Sequence, residues 1–140
     1  FCGVEPDFWH EAVGHIAPLC HAVVQNFYLL MAEHVLSAMT ETEYQQRMAF
    51  VWTIMEYGFI KQHNEFKMFG AAMTGSHLAH MRYRHDLLYL EPACFRTVIH
   101  SGFYEEDKPI PRTPDGRFRF FYLENLDPEY VMNMSAAYQA

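Results

Sequence analysis

The sequence predicts a mainly α protein, a small bundle of about three helices with an extended, proline-containing C-terminal arm. Two observations support this fold class. Apolar residues recur at helical spacing through much of the first hundred residues. Beyond them, Pro109, Pro111 and Pro114 lie within six residues and interrupt regular structure. We therefore divide the chain into a helical domain, residues 1–104, and an arm with a short terminal helix, residues 105–140.

The N-terminal part of the chain is predicted to be helical in two steps. Asp7 and Glu11 follow Pro6 in the first turns of a short helical stretch, where the helix dipole favours acidic side chains. Pro18 then restarts the helix as a first-turn residue. A longer helix follows from Leu19 to about Met39, because its apolar residues return every three or four positions. These apolar residues are Val23, Val24, Phe27, Leu30, Met31, Val35 and Leu36.

A second long helix is predicted to begin at a capping box. Residues 40–43 have the pattern T-x-x-E, in which two side chains accept hydrogen bonds from free backbone N–H groups at a helix start. The helix is expected to run from Glu41 to about Phe69, with Gly58 as a weak point inside it. Trp52 and Met55 are expected on its buried face. The predicted apolar stripe comprises Tyr44, Met48, Val51, Met55, Phe59 and Phe66.

The elements after residue 70 are predicted from caps and alternation. Ser76 can cap a third segment from His77 to about Leu90. The stretch Phe95–Phe103 fits either a short helix or a strand. Residues 117–122 alternate between arginine and aromatic side chains and then become wholly aromatic, which predicts an edge strand or an extended arm. Pro128, preceded by aspartate, begins a short terminal helix.

The composition excludes some classes of partner and favours another. The net charge is −7 and the ten basic residues form no cluster beyond pairs, which argues against nucleic acid. Cys2, Cys20 and Cys94 are widely spaced and odd in number, so they are interpreted as free thiols. Hydrophobic residues make up 51% of the chain, with nine Met and 12 Phe. Aromatic residues and Met are enriched in interface cores, so this content favours a surface covered by other proteins.

One uncharged segment raises the question of a membrane span. Residues 12–32 carry no formal charge and are long enough on length alone to cross a bilayer. His15 and His21 are polar, and Gly14 and Pro18 interrupt the segment. A helix buried among protein neighbours is the favoured interpretation, and a span remains the alternative.

The nine histidines are the main candidates for chemistry. Glu11 and His15 are four residues apart, so one helical face could offer both to a metal. The segment from His10 to His15 has one residue too many for the zinc motif H-E-x-x-H. His77 and His80 also share a face, and a solvated histidine face is the favoured interpretation there. Because neither set is complete, the sequence analysis assigns no catalytic residue, no metal ligand and no cofactor.

The favoured function is non-catalytic: an accessory or structural subunit of a large multi-protein assembly. The low charge, the free thiols and a start at Phe1 rather than Met fit a processed subunit of a mitochondrial inner-membrane complex, either respiratory chain or ATP synthase. Its partners would be other subunits of that complex, with membrane contact through the assembly. The expected interaction anchors are Phe118, Phe120, Phe121 and Tyr122, since buried aromatics carry much of the binding energy at interfaces.

Two other interpretations remain open. The first is a small helical metal- or haem-binding protein with His and carboxylate ligands. The spacings of His21 to His34 and of His63 to His77 resemble those of the axial haem ligands in membrane b-type cytochromes. The second is a fragment of an enzyme, because a missing start Met also fits truncation. Metal analysis separates the haem or metal protein from the subunit, and native mass tests the assembly directly.

Overall fold

A four-stranded mixed sheet lies at the centre of the structure. The computed structural model describes residues 8, 10–74, 87–103 and 109–136. The strands of the sheet are β1 Phe59–Gln62, β2 Glu65–Met68, β3 Leu88–Pro92 and β4 Phe118–Leu123. Their spatial order is β2, β1, β4, β3. β1 and β2 are antiparallel, whereas β4 runs parallel to both β1 and β3.

Helices pack around this sheet. The described part of the chain begins with a π-helix, His10–Ile16, followed by a 3₁₀ turn, Ala17–Cys20. The α-helices of the described part are α1 Ala22–Leu36, α2 Glu41–Tyr57, α3 Ala71–Thr74, α4 Phe95–Ser101 and α5 Pro128–Ser135. α1 contacts α2 and α5, and α2 contacts α3 and α4. α2 also contacts β4, so it links the helices to the sheet.

The core is built from aromatic and aliphatic side chains of every layer. Phe59 on β1 lies edge-on to Phe120 on β4, with ring centroids 5.7 Å apart. Phe103 extends the cluster, with its ring 5.6 Å from that of Phe120. The second pair is tilted rather than edge-to-face, and aromatic pairs add to the free energy gained by burying the rings. The largest fully buried side chains also include Phe27, Phe50, Phe121, Met31, Ile54, Leu123, Val98 and Val131.

The predicted fold class, a small helical bundle with an extended arm, is wrong. The long helix predicted to reach Phe69 ends at Tyr57, and Gly58 follows it in an extended conformation. The chain then forms the β1–β2 hairpin, whose two turn residues, His63 and Asn64, have φ of 52° and 63°. Two consecutive residues with positive φ match the twist of a tight hairpin, and Asn favours that conformation. Gly58 therefore marks the end of the helix rather than a weak point inside it.

The predicted arm supplies the centre of the sheet. β4 pairs with β3 over five residues, from Leu88 opposite Phe118 to Pro92 opposite Tyr122, and it also pairs with β1. Its alternating sequence was correctly interpreted as strand-forming, but an edge strand or free arm was expected. Both neighbours of β4 come from the first 104 residues, so one sheet joins the two predicted segments of the chain.

The buried face of α2 differs from the predicted stripe. Its buried residues are Ala49, Phe50, Thr53 and Ile54. Trp52 is exposed and Met55 is only half-buried, so the expected phase of the stripe is wrong. Apolar residues occur on several faces of this helix, and their spacing alone did not identify the face that the neighbouring elements cover.

Two local predictions are confirmed, and the structure decides a third that the sequence left open. Thr40 is the N-cap of α2, and its hydroxyl accepts a hydrogen bond from the Glu43 N–H at 3.1 Å. The Glu43 carboxylate accepts from the Met39 N–H at 2.8 Å, one residue before the N-cap, so the return bond of the predicted capping box is shifted by one residue. Pro128 begins the last helix behind Asp127. The stretch left open between helix and strand, Phe95–Phe103, contains the helix α4.

Two other predictions meet the structure only in part. Of the third segment, His77 to Leu90, residues 77–86 lie outside the described residues, and residues 88–90 belong to β3. Cys20 and Cys94 are free thiols as predicted, whereas Cys2 lies outside the described residues. None of the helices in the described part of the chain combines the length and the apolar character that crossing a bilayer requires.

Candidate metal centre

Three potential metal ligands converge between the π-helix and the end of α2. The Nε2 atoms of His10 and His15 are 3.0 Å apart. Glu56 places one carboxylate oxygen 3.4 Å from His10 Nε2 and the other 3.0 Å from His15 Nε2. A metal ion could be held by His, Cys, Asp or Glu side chains, and among the described residues these three lie close enough together to do so.

The π-helix is what brings the two histidines together. In an α-helix, residues five positions apart point about 140° away from each other. A π-helix bonds residue i to residue i+5, so residues five apart stand nearly above one another. His10 and His15 span the π-helix from its first residue, and their rings lie with centroids 4.8 Å apart. The segment from His10 to His15 has one residue more than the zinc motif H-E-x-x-H, and the wider turn of the π-helix accommodates that extra residue.

The position of Glu56 is unfavourable for helix stability alone. It is the second-last residue of α2, where the helix dipole is negative and disfavours a carboxylate. The last hydrogen bond of the helix follows directly, where the Gly58 N–H donates to the Ile54 carbonyl at 2.9 Å. A cation bound beside Glu56 would reverse this unfavourable interaction. Such a local conflict is typical of residues retained for function.

The donor distances fit three adjacent ligands of one ion. Donors about 2.1 Å from a metal and at right angles to one another lie about 3.0 Å apart. The two Nε2 atoms are 3.0 Å apart, and each faces a different oxygen of the Glu56 carboxylate, at 3.0 and 3.4 Å. One ligand atom of each side chain lies within 4.8 Å of the other two. The set therefore has the composition and the spacing of the two-histidine, one-carboxylate triad of non-haem iron oxygenases.

The surroundings of the cluster are partly shielded from water. The exposed fractions of the side chains are 14% for His10, 28% for His15 and 16% for Glu56. The negative charge of Glu56 also acts on Tyr28: burial and, second, this charge raise the pKa of the Tyr28 phenol. Electrostatic interactions are stronger in such a site than in open water. A cation bound beside Glu56 would therefore interact strongly with its carboxylate.

The spacing of residues in the sequence does not identify this cluster, although the predicted pair of Glu11 and His15 contains one of its members. Glu11 is exposed, and its carboxylate is 3.9 Å from His10 Nε2. The available signal was the spacing H-x-x-x-x-H, which an α-helical count rejects. Glu56 carried no signal of its own, because 40 residues separate it from His15. The expectation of no metal ligand is replaced by the proposal below.

The other described histidines named in the sequence predictions lie apart, in different elements of the fold. His21 caps α1, with its Nδ1 accepting from the Val23 N–H, and His63 lies in the hairpin turn. His34 packs between Phe50 and Phe95, with ring centroids 5.8 and 5.7 Å away. His77, His80 and His85 lie outside the described residues.

The four predicted interaction anchors have neighbours within this chain. Phe120 and Phe121 are buried in the core. Phe118 is half-buried with the Arg112 guanidinium 4.1 Å above its ring, and Tyr122 packs on Phe66 at 4.8 Å. The prediction that these side chains also contact other proteins stays a prediction.

Comparison with known proteins identifies the family. Residues 1–88 match the family model described as biopterin-dependent aromatic amino acid hydroxylase. The chain belongs to this family. Over 80 residues it is also 32% identical to the phenylalanine 4-monooxygenase, chloroplastic, of Physcomitrium patens. That alignment covers 56% of this chain and 20% of the relative.

Solved hydroxylases share the fold. The phenylalanine hydroxylase of Legionella pneumophila superposes with a TM-score of 0.71 at 20% identity, over 96% of this chain and 50% of that one. The enzyme of Chromobacterium violaceum, whose structure holds iron(III) and the oxidised cofactor 7,8-dihydrobiopterin, gives 0.67 at 15% identity over 91% and 43%. The chain therefore spans about half the length of these structures, or less.

Membership of a hydroxylase family overturns several expectations. The interpretation as a non-catalytic accessory subunit is wrong, because the family consists of enzymes. The placement in a respiratory-chain or ATP synthase complex of the mitochondrial inner membrane is wrong for the same reason, since the relatives are a chloroplastic enzyme and bacterial hydroxylases. The alternative of a small helical haem or metal protein has no better support, because the fold is that of the hydroxylases.

Proposed function

We propose that this chain carries the iron-binding part of a pterin-dependent hydroxylase that acts on an aromatic amino acid. The convergence of His10, His15 and Glu56 supports this proposal most strongly. Two imidazoles and one carboxylate on one face of an ion are the ligand set of non-haem iron oxygenases. Phenylalanine is the proposed substrate, because the relatives with printed names are phenylalanine hydroxylases.

All three side chains of the triad would coordinate the ion. His10 and His15 would coordinate through Nε2, the atoms that face each other across 3.0 Å. Glu56 would coordinate through its carboxylate, which already lies between both rings. A ferrous ion held by these three side chains would supply the chemistry of dioxygen activation, with electrons from a reduced pterin.

The charge of the ligand set suits such an ion. Two neutral imidazoles and one carboxylate contribute a single negative charge, so a divalent ion keeps one net positive charge. The Nε2 atoms of both rings and the Glu56 carboxylate face one point, so a single cation there could contact a ligand atom of each side chain.

Metal titration tests the proposed site. The chain, freed of metal and kept anaerobic, should bind about one ferrous ion by calorimetry. Replacing any triad member with Ala should weaken binding by more than about 100-fold, beyond the usual effect of losing an outer-shell partner. Glu11→Ala and His21→Ala are matched controls, since one removes a neighbouring exposed carboxylate and the other an exposed imidazole. Their affinity should equal that of the unmodified chain.

An activity assay tests the reaction. Iron-loaded protein with a tetrahydropterin, dioxygen and phenylalanine should form tyrosine, and Glu56→Ala should not. Tight zinc binding without iron binding, or iron binding unchanged by all three Ala substitutions, would contradict the proposal. Hydroxylation that persists in the Glu56→Ala variant would contradict it as well.

A further inference from the structure

The start of α3 lies between the two elements that carry the triad. The chain leaves α2 at Gly58, forms the β1–β2 hairpin and returns to the same point. There the Phe69 and Gly70 N–H groups both donate to the Gly58 carbonyl, at 3.0 and 2.8 Å. Gly70 is therefore anchored to Gly58, which follows Glu56 by two residues.

Gly70 touches the backbone of Glu56 directly. A Cβ atom at position 70 would lie 2.3 Å from the Glu56 carbonyl carbon and 2.4 Å from both the Glu56 oxygen and the Tyr57 nitrogen. These are backbone atoms, which cannot swing aside as a flexible side chain can. The contact therefore requires glycine, and it fixes the backbone that carries the carboxylate.

The next residue, Ala71, makes the corresponding contact on the other side. A Cβ atom at Gly14 would lie 2.8 Å from the Cα, Cβ and carbonyl oxygen of Ala71. Gly14 is the buried residue of the π-helix and directly precedes His15. The histidine-bearing helix thus rests on the backbone of α3 with no side chain of its own between them.

We propose that the pair Gly70–Ala71 is a spacer that sets the distance between the histidine-bearing π-helix and Glu56, and so sets the affinity for metal. This inference rests on the proposed metal site. Ligand atoms must be held within about 0.5 Å of the productive geometry by their supporting residues. Contacts between backbones are stiffer than contacts between side chains, because no rotamer change relieves them. A methyl group added at either glycine would push the two ligand-bearing elements apart.

Co²⁺ titration of glycine variants tests the spacer, because bound Co²⁺ reports its coordination in the visible spectrum. Gly14→Ala and Gly70→Ala should each weaken Co²⁺ binding by about 10- to 100-fold, as losses of outer-shell support do. They should also change the absorption of the bound ion. Ala71→Gly creates no clash and loosens the contact, so it should give a smaller loss of affinity in a folded protein.

Gly116→Ala is the matched control. Gly116 has φ of +86° with nothing within 4 Å of an added Cβ, so alanine strains the backbone of a loop that carries none of the triad. This variant should lower the thermal midpoint of the metal-free chain and keep both the Co²⁺ affinity and the spectrum. A purely structural role for Gly14 and Gly70 would make their variants behave in the same way.

The outcomes are distinguishable from failure of the metal site. Normal Co²⁺ binding by the unmodified chain with unchanged affinity in folded Gly14→Ala and Ala71→Gly would overturn the spacer alone. If Gly70→Ala does not fold, these two variants decide the question. Absence of Co²⁺ binding by the unmodified chain would overturn the proposed metal site and the spacer together.

Discussion

The metal region and the aromatic core of this protein are stabilised in opposite ways. Around the triad, the backbone forms a π-helix, closes on itself at Gly58 and packs without side chains at Gly14 and Gly70. Around β4, ordinary strand geometry presents large rings to one another. The first region holds polar groups in a fixed arrangement, whereas the second gains free energy by burying apolar surface.

The difference shows where function adds constraints to the fold. Glu56 opposes the helix dipole, and three ligand atoms crowd one point. In the described core, the aromatic rings pack on one another in edge-to-face and tilted pairs. We infer that the core can support the folded state without metal, and that the metal region depends on its ion. Three predictions test this contrast and a fourth tests a helix cap outside both regions, from the largest expected effect to the smallest.

The largest effect on stability should come from the core. Phe121 is 1% exposed, so Phe121→Ala should lower the free energy of unfolding by about 3–5 kcal/mol through lost burial and a cavity. Chemical denaturation measures the change. Phe118→Ala, at a half-buried position on the same strand, should cost clearly less. Equal losses at the two positions would show that β4 does not have the buried role described here.

The metal region should gain stability from its ion. Ferrous ion at about 100 times its dissociation constant should raise the free energy of unfolding by about 2.7 kcal/mol, because it binds only the folded chain. Anaerobic thermal denaturation measures this gain. Glu56→Ala should abolish the gain, whereas Phe118→Ala should retain it. A similar gain in the Glu56→Ala variant would place the ion elsewhere.

His34 tests the core through pH. Burial between aromatic rings and, second, the neighbouring Arg47 charge lower the pKa of His34 to about 4. The unfolded chain then binds more protons than the folded chain between about pH 6.5 and 4, so stability falls as the pH falls through that range. After allowance for solvent screening, the loss attributable to His34 is about 1–2 kcal/mol.

Replacement of His34 should remove that share of the pH dependence. His34→Phe should flatten the dependence between pH 6.5 and 4, as measured by urea denaturation at several pH values. His100→Phe, at an exposed position near the end of α4, should leave the slope unchanged. An unchanged slope in His34→Phe would show that carboxylates alone produce the acid sensitivity.

The smallest effect is expected at a helix start, outside both regions. Thr40→Ala should lower the free energy of unfolding by about 1 kcal/mol, because the Glu43 N–H loses its acceptor. Thr42→Ala, an exposed position in the first turn of α2, should change stability much less. Comparable losses for both substitutions would mean that the cap contributes nothing specific.

Several local features of the structure could be predicted from short stretches of the sequence. The cap at Thr40 and the start at Pro128 depend on a few neighbouring residues, and both are observed. The extended conformation of residues 118–122 could also be predicted, because the alternation of arginine and aromatic residues lies within the segment itself. Each of these features follows from hydrogen bonds or periodicity within a short stretch of chain.

The tertiary structure alone decided the sheet order and the candidate site. β4 became a central strand because β1 and β3 pair with it from distant parts of the sequence. His10 and His15 face one point only in a π-helix, and that helix meets Glu56 across a contact that Gly14 and Gly70 permit. A sequence pattern records which groups a segment carries, but convergence of ligand atoms to about 3 Å depends on how separate backbones pack.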